Sequence, residues 1–330
     1  MEKIMIFNVP AQELGALTVL KNTYNDIDNQ KNNNKRYYFV LSGPYISETE
    51  NIKVKIFPWV KKSWFHRLFF DYFIAPRIVK TEKIERIISY HNLSIPRVKI
   101  NQTLFIHNAI PFTNLEFSLI KETKLWIYKN VMSRRIKSSI NKADQLIVQS
   151  EWLKKRILQT STVIQPNNIV VEKYCSEIDY NNQFDHNSKS LKTLFIYPAG
   201  PYSYKNHIDI IDACKKLTKD NIEIIFTITG NENTIARNIK KEIDLFKLPI
   251  KLVGSLIHDQ VLEYFKTHIL IFPSKLETLG LPLLEAKSMN TPIIYRYSEL
   301  YEEVLDNYKY AVSYETFLDL KVIIDEVMEQ

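Results

Sequence analysis

Short apolar runs alternate with longer amphipathic stretches along nearly the whole chain, and this alternation constrains the fold more than any other feature. In the first half, Ile4–Val9, Tyr37–Leu41, Ile52–Phe57, Ile87–Tyr90, Thr103–Ile106 and Gln145–Val148 read as strands. Helices are predicted over Leu14–Tyr24, Ile78–Ile84 and roughly Leu115–Lys142, with a polar loop over Asp26–Arg36. Periodicity is lost around Tyr180–Ser190 and then restarts. Strands follow at Thr193–Tyr197, Glu223–Thr229, Lys251–Val253 and Ile269–Phe272, separated by helices at Ile208–Leu217, Thr234–Phe246 and Asp259–Phe265. Strands separated by helices pair in parallel, because the crossover needs a helix to return the chain to the same end of the sheet. The reading is α/β, with two Rossmann-like domains of parallel sheet over residues 1–180 and 191–330 and a linker at 181–190. Ligands in such sheets bind beyond the carboxyl ends of the strands. The last helix is expected to pack back on the N-terminal domain.

The length of 330 residues suits two domains, each able to bury its own core. The two cysteines, Cys175 and Cys214, fit no metal spacing and read as reduced thiols. The N-terminal apolar run is a first strand rather than a secretion signal, and no stretch reaches the length of a bilayer-spanning helix. A cytoplasmic protein is expected. A net charge of +7 favours an anionic partner such as a nucleotide, an anionic lipid surface or nucleic acid.

The most informative local segment is Pro273–Ile294, which reads as the end of a strand, a loop, a helix and the next strand. Glu277 and Glu285 are separated by seven residues, with Gly280 and Pro282 between them. Proline suits the first helical turn, where its missing N–H costs nothing, and Gly280 lets backbone approach a ligand. The first-turn amides of a helix lack intrahelical partners and can receive an anion. Two carboxylates flanking such amides suit a diphosphate joined to two hydroxyl-bearing groups. An ordinary capped helix with acidic residues near its positive end explains the same pattern.

Other candidates lie at strand ends. His107 ends the strand of TLFIHNAIPF and His91 ends that of IISYHN, where an imidazole can orient a sugar or share a proton. For His91 a hydrogen-bonded loop histidine is the preferred reading. Lys205, in YPAGPYSYKNHIDII, sits beside a helix entry and can meet a phosphate as a point charge, or be a surface lysine. Gly15 stands at the first strand-to-helix turn without a complete Gly-x-Gly-x-x-Gly pattern, and Gly200, Gly230 and Gly254 follow later strands. Asp26 and Asp28 are read as solvated loop. No cluster has metal-ligand spacing.

The stretch Trp59–Phe73 mixes cations with aromatics. Lys61, Lys62, Trp64 and Arg67 are candidates for an interfacial membrane or acceptor surface, extended by Lys121, Lys124, Lys129, Arg134, Arg135 and Lys137. Burial of the same aromatics against a sheet is the competing reading.

The chain resembles the retaining glycosyltransferases of family four, which have the two-domain GT-B fold. In Pro273–Ile294 the resemblance rests on PS, Glu277, Gly280-Leu281-Pro282, Glu285-Ala286 and Thr291-Pro292. FIYPAGPYSYKNH, TITGNE and LVGSL support it upstream, as do FIHNAIPF and LIVQSEWLKKRI in the first half. The resemblance implies an acceptor-binding N-terminal domain and a nucleotide-sugar-binding C-terminal one, with parallel sheets facing across a cleft. Glu285 would then bind the donor ribose and Glu277 the transferred sugar. Backbone around Thr278, Leu279 and Gly280 would hold the diphosphate with Lys205, Gly15, Gly200, Gly230 and Gly254 would line the donor site, and His107 would lie near the reacting sugar. Gly200 stands where the family often has an arginine, Leu14 replaces one of two glycines before the first helix, and Thr278 replaces a common glycine.

The expected activity is transfer of a sugar from a nucleoside-diphosphate sugar to an acceptor hydroxyl with retention, with no cofactor and no required metal. The expected acceptor is a lipid-linked glycan in lipopolysaccharide, capsule or O-antigen synthesis at the inner membrane face, with no nucleic-acid partner. A nucleotide-sugar epimerase of the same build and a non-enzymatic basic module binding membrane or nucleic acid are the alternatives.

Overall fold

The computed structural model describes residues 1–9, 14–29, 34–161, 163–172, 183–185, 192–217 and 221–329. Two units are present, one formed by Met1–Phe112 with Glu116–Lys173, the other by Thr113–Leu115 with Tyr174–Gln330. Most of the expected linker, and Cys175, lie outside the described residues.

The first unit contains a seven-stranded parallel sheet. Its strands are β1 (Glu2–Phe7), β2 (Lys35–Leu41), β3 (Ile52–Ile56), β4 (Arg86–Ser89), β5 (Asn101–Phe105), β6 (Gln145–Val148) and β7 (Ile169–Val171). They lie in the order β3-β2-β1-β4-β5-β6-β7. Strand β1 pairs Phe7 with Val40 on one side and with Ser89 on the other. Its residues Met5, Ile6 and Phe7 are almost wholly buried, as an interior strand of a two-faced sheet requires.

The second unit repeats the plan with β8 (Thr193–Tyr197), β9 (Ile222–Phe226), β10 (Ile250–Leu252), β11 (Ile269–Phe272), β12 (Ile293–Arg296) and β13 (Ala311–Tyr314). Its order is β10-β9-β8-β11-β12-β13. The strand order therefore reverses direction between β8 and β11, and their connections leave on opposite sides, opening a crevice at their carboxyl ends. The final helix, Phe317–Glu329, packs on helix His207–Cys214 of the second unit.

The helices depart from expectation at three places. The first runs Leu14–Asn29, so Asp26 and Asp28 lie on a helix rather than in a loop. Helix 115–142 begins only at Thr123 and ends at Ile140, because the preceding residues turn at Ser118, whose hydroxyl accepts from the Lys121 amide. It also contains a π segment, Tyr128–Met132, where the Ser133 hydroxyl donates to the Tyr128 carbonyl. A second π segment, Phe70–Ile74, interrupts the helix from Trp64 to Glu82. Pro76 follows it and has no N–H for the preceding turn, so the helix widens there.

Among the described residues, burial lowers the pKa of His91, His107, His207 and His268 and keeps them neutral near pH 7. Burial holds His107 down at about 4 and His207 at about 3, and it holds His91 well below its ordinary value. The unfolded chain binds these protons below about pH 6.5 while the folded chain does not, so falling pH favours unfolding. Urea unfolding at about pH 7 and about pH 5.5 is expected to show a loss of roughly 1 kcal/mol per histidine. Equal stability at the two values would contradict this account.

Candidate functional site

The crevice of the second sheet brings together residues from two loops. After β8 the chain passes Gly200 and forms a short 3-10 turn, Ser203–Lys205. Asn206 follows in the left-handed conformation at φ 57° and starts helix His207–Cys214. After β11 it runs through Pro273–Leu279 to Gly280 and enters helix Leu281–Ser288.

The two loops are stitched together by main-chain acceptors. The Lys275 amide donates to the Tyr204 carbonyl at 2.7 Å, and the Asn206 side-chain amide donates to the Pro273 carbonyl at 3.2 Å. From below, the Tyr197 hydroxyl donates to the Lys205 carbonyl at 2.7 Å, and that of Tyr301 to the Ser274 carbonyl at 2.9 Å. Burial and the nearby Glu277 carboxylate hold both phenols well above their usual pKa, so they stay protonated donors. The result is a direct ion pair between the Lys205 ammonium and Glu277 Oε1, with both side chains largely buried.

Gly280 caps the following helix at φ 76°, a backbone that side chains rarely adopt. An added Cβ would meet Leu283 Cδ1 at 3.2 Å. The left-handed turn is what calls for glycine here, and the contact beneath it adds to the crowding. The first turn is less open than expected, because the Leu283 and Leu284 amides already donate to the Gly280 carbonyl. Pro282 has no N–H to offer. Leu279 is buried and Thr278 half-buried beside Glu277.

Glu285 stands on that helix with its carboxylate accepting from or facing His258 Nε2 at 3.0 Å. Burial pushes its pKa up and His258 pulls it back. Sequence reasoning did not single out His258. It is the first residue of helix His258–Phe265, and the entry LIHDQ carries no motif that names it.

The remaining donor candidates are dispersed. Gly230 and Gly254 follow β9 and β10 in left-handed turns at φ 85° and 80°. A Cβ at Gly230 would come within 2.9 Å of Lys240, so packing alone already demands glycine there. Gly200 lies against the Tyr202 ring. Gly15 belongs to the first unit, inside the first turn of helix Leu14–Asn29.

In the first unit His107 follows β5, its amide donating to Asn92 Oδ1 at 2.7 Å and its ring stacked on Phe105 at 5.7 Å. Kept neutral by burial, it can donate or accept a hydrogen bond but is no cation near pH 7. His91 is wholly internal, with Nδ1 3.2 Å from the Phe7 carbonyl and 3.1 Å from Ser89 Oγ. That is the hydrogen-bonded histidine preferred on sequence grounds.

The Trp59–Phe73 stretch divides between two faces. Phe70 is buried against Phe7, Phe57 and Trp59, while Trp64, Phe65, Phe69 and Phe73 are exposed, Phe65 by 82 %. Lys62 is exposed and Lys61 donates to the Tyr45 hydroxyl at 3.1 Å. Arg67 must be removed from the surface group. Its Nε donates to the buried Asp71 at 3.0 Å, and Arg135 approaches the other carboxylate oxygen at 3.5 Å. The arginine turns inward because Asp71, four residues on, is buried and needs a cation.

Residues 179–329 match the model of the family glycosyl transferases group 1. That match takes in most of the second unit. The O-antigen chain mannosyltransferase RfbU of Salmonella typhimurium is 22% identical over 275 residues, covering 82% of this chain and 71% of the relative. Among solved structures, the Anabaena protein Alr3699/HepE in complex with UDP and glucose superposes with a TM-score of 0.71 at 14% identity. That match covers 100% of this chain and 90% of HepE. WaaG, a glycosyltransferase involved in lipopolysaccharide biosynthesis, superposes with a TM-score of 0.71 at 11% identity, covering 100% of this chain and 91% of WaaG. The chain is thus a glycosyltransferase with the GT-B fold. Among its described residues, no helix of this transferase is long and apolar enough to cross a membrane.

Proposed function

We propose that this glycosyltransferase moves a sugar from a nucleoside-diphosphate sugar to a glycan hydroxyl in lipopolysaccharide or O-antigen assembly, with retention at the anomeric carbon. The observation that carries the reading is the Lys205–Glu277 pair at the strand-order reversal of the second sheet, with Glu285 one helix entry away. In this reading Glu285 accepts from the ribose hydroxyls and Glu277 from hydroxyls of the transferred sugar. The diphosphate lies against Lys205 and the main chain at Leu279–Gly280, with Gly200, Gly230 and Gly254 bordering the nucleotide.

The chemistry follows from charge. As the bond from the anomeric carbon to the phosphate oxygen breaks, negative charge grows on the departing diphosphate. A lysine already held in place stabilises that charge without reorganising. The acceptor oxygen bonds to the anomeric carbon on the face the diphosphate leaves, and its proton passes to the departing phosphate oxygen. Lys205 takes the electrostatic role that a metal would otherwise fill, so no metal is assigned. The names of RfbU and WaaG support a bacterial surface glycan as acceptor. The exposed aromatics beside Lys62 support a lipid-linked acceptor met at an anionic membrane surface.

Purified enzyme incubated with nucleotide-sugars and lipid-linked glycan, with and without chelator, tests the reading. The product's anomeric configuration is read by NMR. Isomerisation of the donor without acceptor would favour an epimerase and overturn it. Glu285→Ala is expected to weaken binding of a nucleoside diphosphate by about 10- to 100-fold, the loss of hydrogen bonds to a charged group. Calorimetry showing unchanged affinity would remove Glu285 from the donor site.

A further inference from the structure

Glu285 is nearly buried, yet its carboxylate has a partner of its own on a different helix. His258 Nε2 lies 3.0 Å from Glu285 Oε1, with the carboxylate side chain 13% exposed and the imidazole 52% exposed. The histidine is held at its post by the helix start. The Ile257 amide donates to Gln260 Oε1 at 3.1 Å, and the Gln260 amide returns to the Ile257 carbonyl at 3.1 Å. This reciprocal bond fixes the first turn of helix His258–Phe265 and hence the direction from which His258 reaches Glu285.

The other charged groups nearby are occupied elsewhere. Lys287, on the helix of Glu285, donates to the carbonyls of Val304 and Leu305. On the neighbouring elements, Glu263 pairs with Lys266, Arg296 with Asp209, and Glu302 accepts from the Tyr295 hydroxyl. Asp259 lies 3.8 Å from His258 Nδ1, on the far side of the ring from Glu285. Glu299 and Glu303, on helix Glu299–Leu305, have partners of their own. Among the described residues, His258 is the one titratable side chain that acts on the Glu285 carboxylate.

We propose that His258 is a positioning residue for the donor, holding the Glu285 carboxylate ionised and oriented so that it can accept from both ribose hydroxyls. The inference rests on Glu285 as the ribose acceptor. A carboxylate buried this far drifts toward its neutral form, and a protonated carboxyl offers a donor where the ribose needs an acceptor. An Nε2–H aimed at the carboxylate favours the ionised form. Because the imidazole is half in water, it can do this without being buried as a charge itself.

The experiment uses whichever of UDP, GDP and ADP binds the wild-type enzyme tightest, with calorimetry from about pH 6 to about pH 8. His258→Phe is expected to lower affinity selectively on the acid side, by about tenfold for each unit that the Glu285 carboxyl rises. At the alkaline end the two proteins should converge. His258→Gln keeps an N–H donor and should restore the acid-side affinity. At saturating donor-sugar the turnover number should stay near wild type while KM for the donor follows the binding loss.

Wild-type affinity for His258→Phe at every pH would overturn the proposal. So would a uniform loss across the pH range that glutamine does not rescue, since that would mean direct contact with the ligand. Glu285→Gln separates the two ideas. If that variant binds as wild type, the ribose reading of Glu285 fails; if it loses affinity while His258→Phe does not, only the positioning role fails. Thermal unfolding of each variant confirms that the half-exposed position tolerates the change.

Discussion

Replacing Lys205 by methionine is expected to lower kcat by about 10²- to 10³-fold, the usual effect of removing one preorganised group from the charge that develops in the transition state. The diphosphate gains charge only as it leaves, so kcat and kcat/KM should fall together, and donor affinity should change less. Stability needs to be measured alongside. Methionine fills the volume but leaves Glu277, 17% exposed, without its cation. Breaking a fully buried pair costs about 3–5 kcal/mol, and this site sits below that range because part of the carboxylate meets water. The double variant Lys205→Met with Glu277→Gln removes both charges and should regain most of the stability while remaining slow. Turnover within about threefold of wild type for Lys205→Met would show that another cation carries the leaving group.

The second large effect concerns the exposed aromatic face of helix Trp64–Glu82. Phe65 and Phe73 project from a helix whose opposite side, at Phe70, is locked into the core of the first unit. Phe73 also stacks on Phe69 at 5.3 Å and receives the Arg97 guanidinium over its ring at 5.4 Å. Burying an aromatic side chain from water gains about 1.5–3 kcal/mol, so Phe65→Ser with Phe73→Ser should weaken partition onto anionic phospholipid vesicles by at least about 10²-fold. Vesicle flotation measures this, with transfer to a soluble acceptor as the control that should be unchanged. Equal flotation of the double variant and wild type would remove this face from any membrane role. The cations nearby will not behave alike. Lys62 is free to contribute to vesicle binding, whereas Arg67→Gln should chiefly destabilise the first unit by leaving Asp71 with Arg135 alone.

Much of the fold could be read from local pattern. Every strand named from the sequence exists within a few residues of its predicted bounds, because apolar runs between helices can only be buried in a parallel sheet. The helix entry at Gly280–Pro282 was legible for the same kind of reason, since glycine and proline act on their own backbone dihedrals. The misreadings lie where a remote or competing contact decides. Ser118 delays a helix that hydropathy would begin at Leu115. Asp71 draws Arg67 inward from a stretch whose composition suggests a uniform basic surface.

The functional segment shows the same division. Glu277, Gly280 and Glu285 were determined by the sequence itself, through spacing along one loop and one helix. That Lys205, 72 positions away, is the cation meeting Glu277 was decided only by the strand order, which sets β8 beside β11 and brings their two loops together. That His258 faces Glu285 was decided only by the packing of two helices and a capped first turn. Backbone preference acts between neighbours in the chain and can be read there. An electrostatic partner is chosen by distance in space, and that distance exists only once the sheet has ordered its strands.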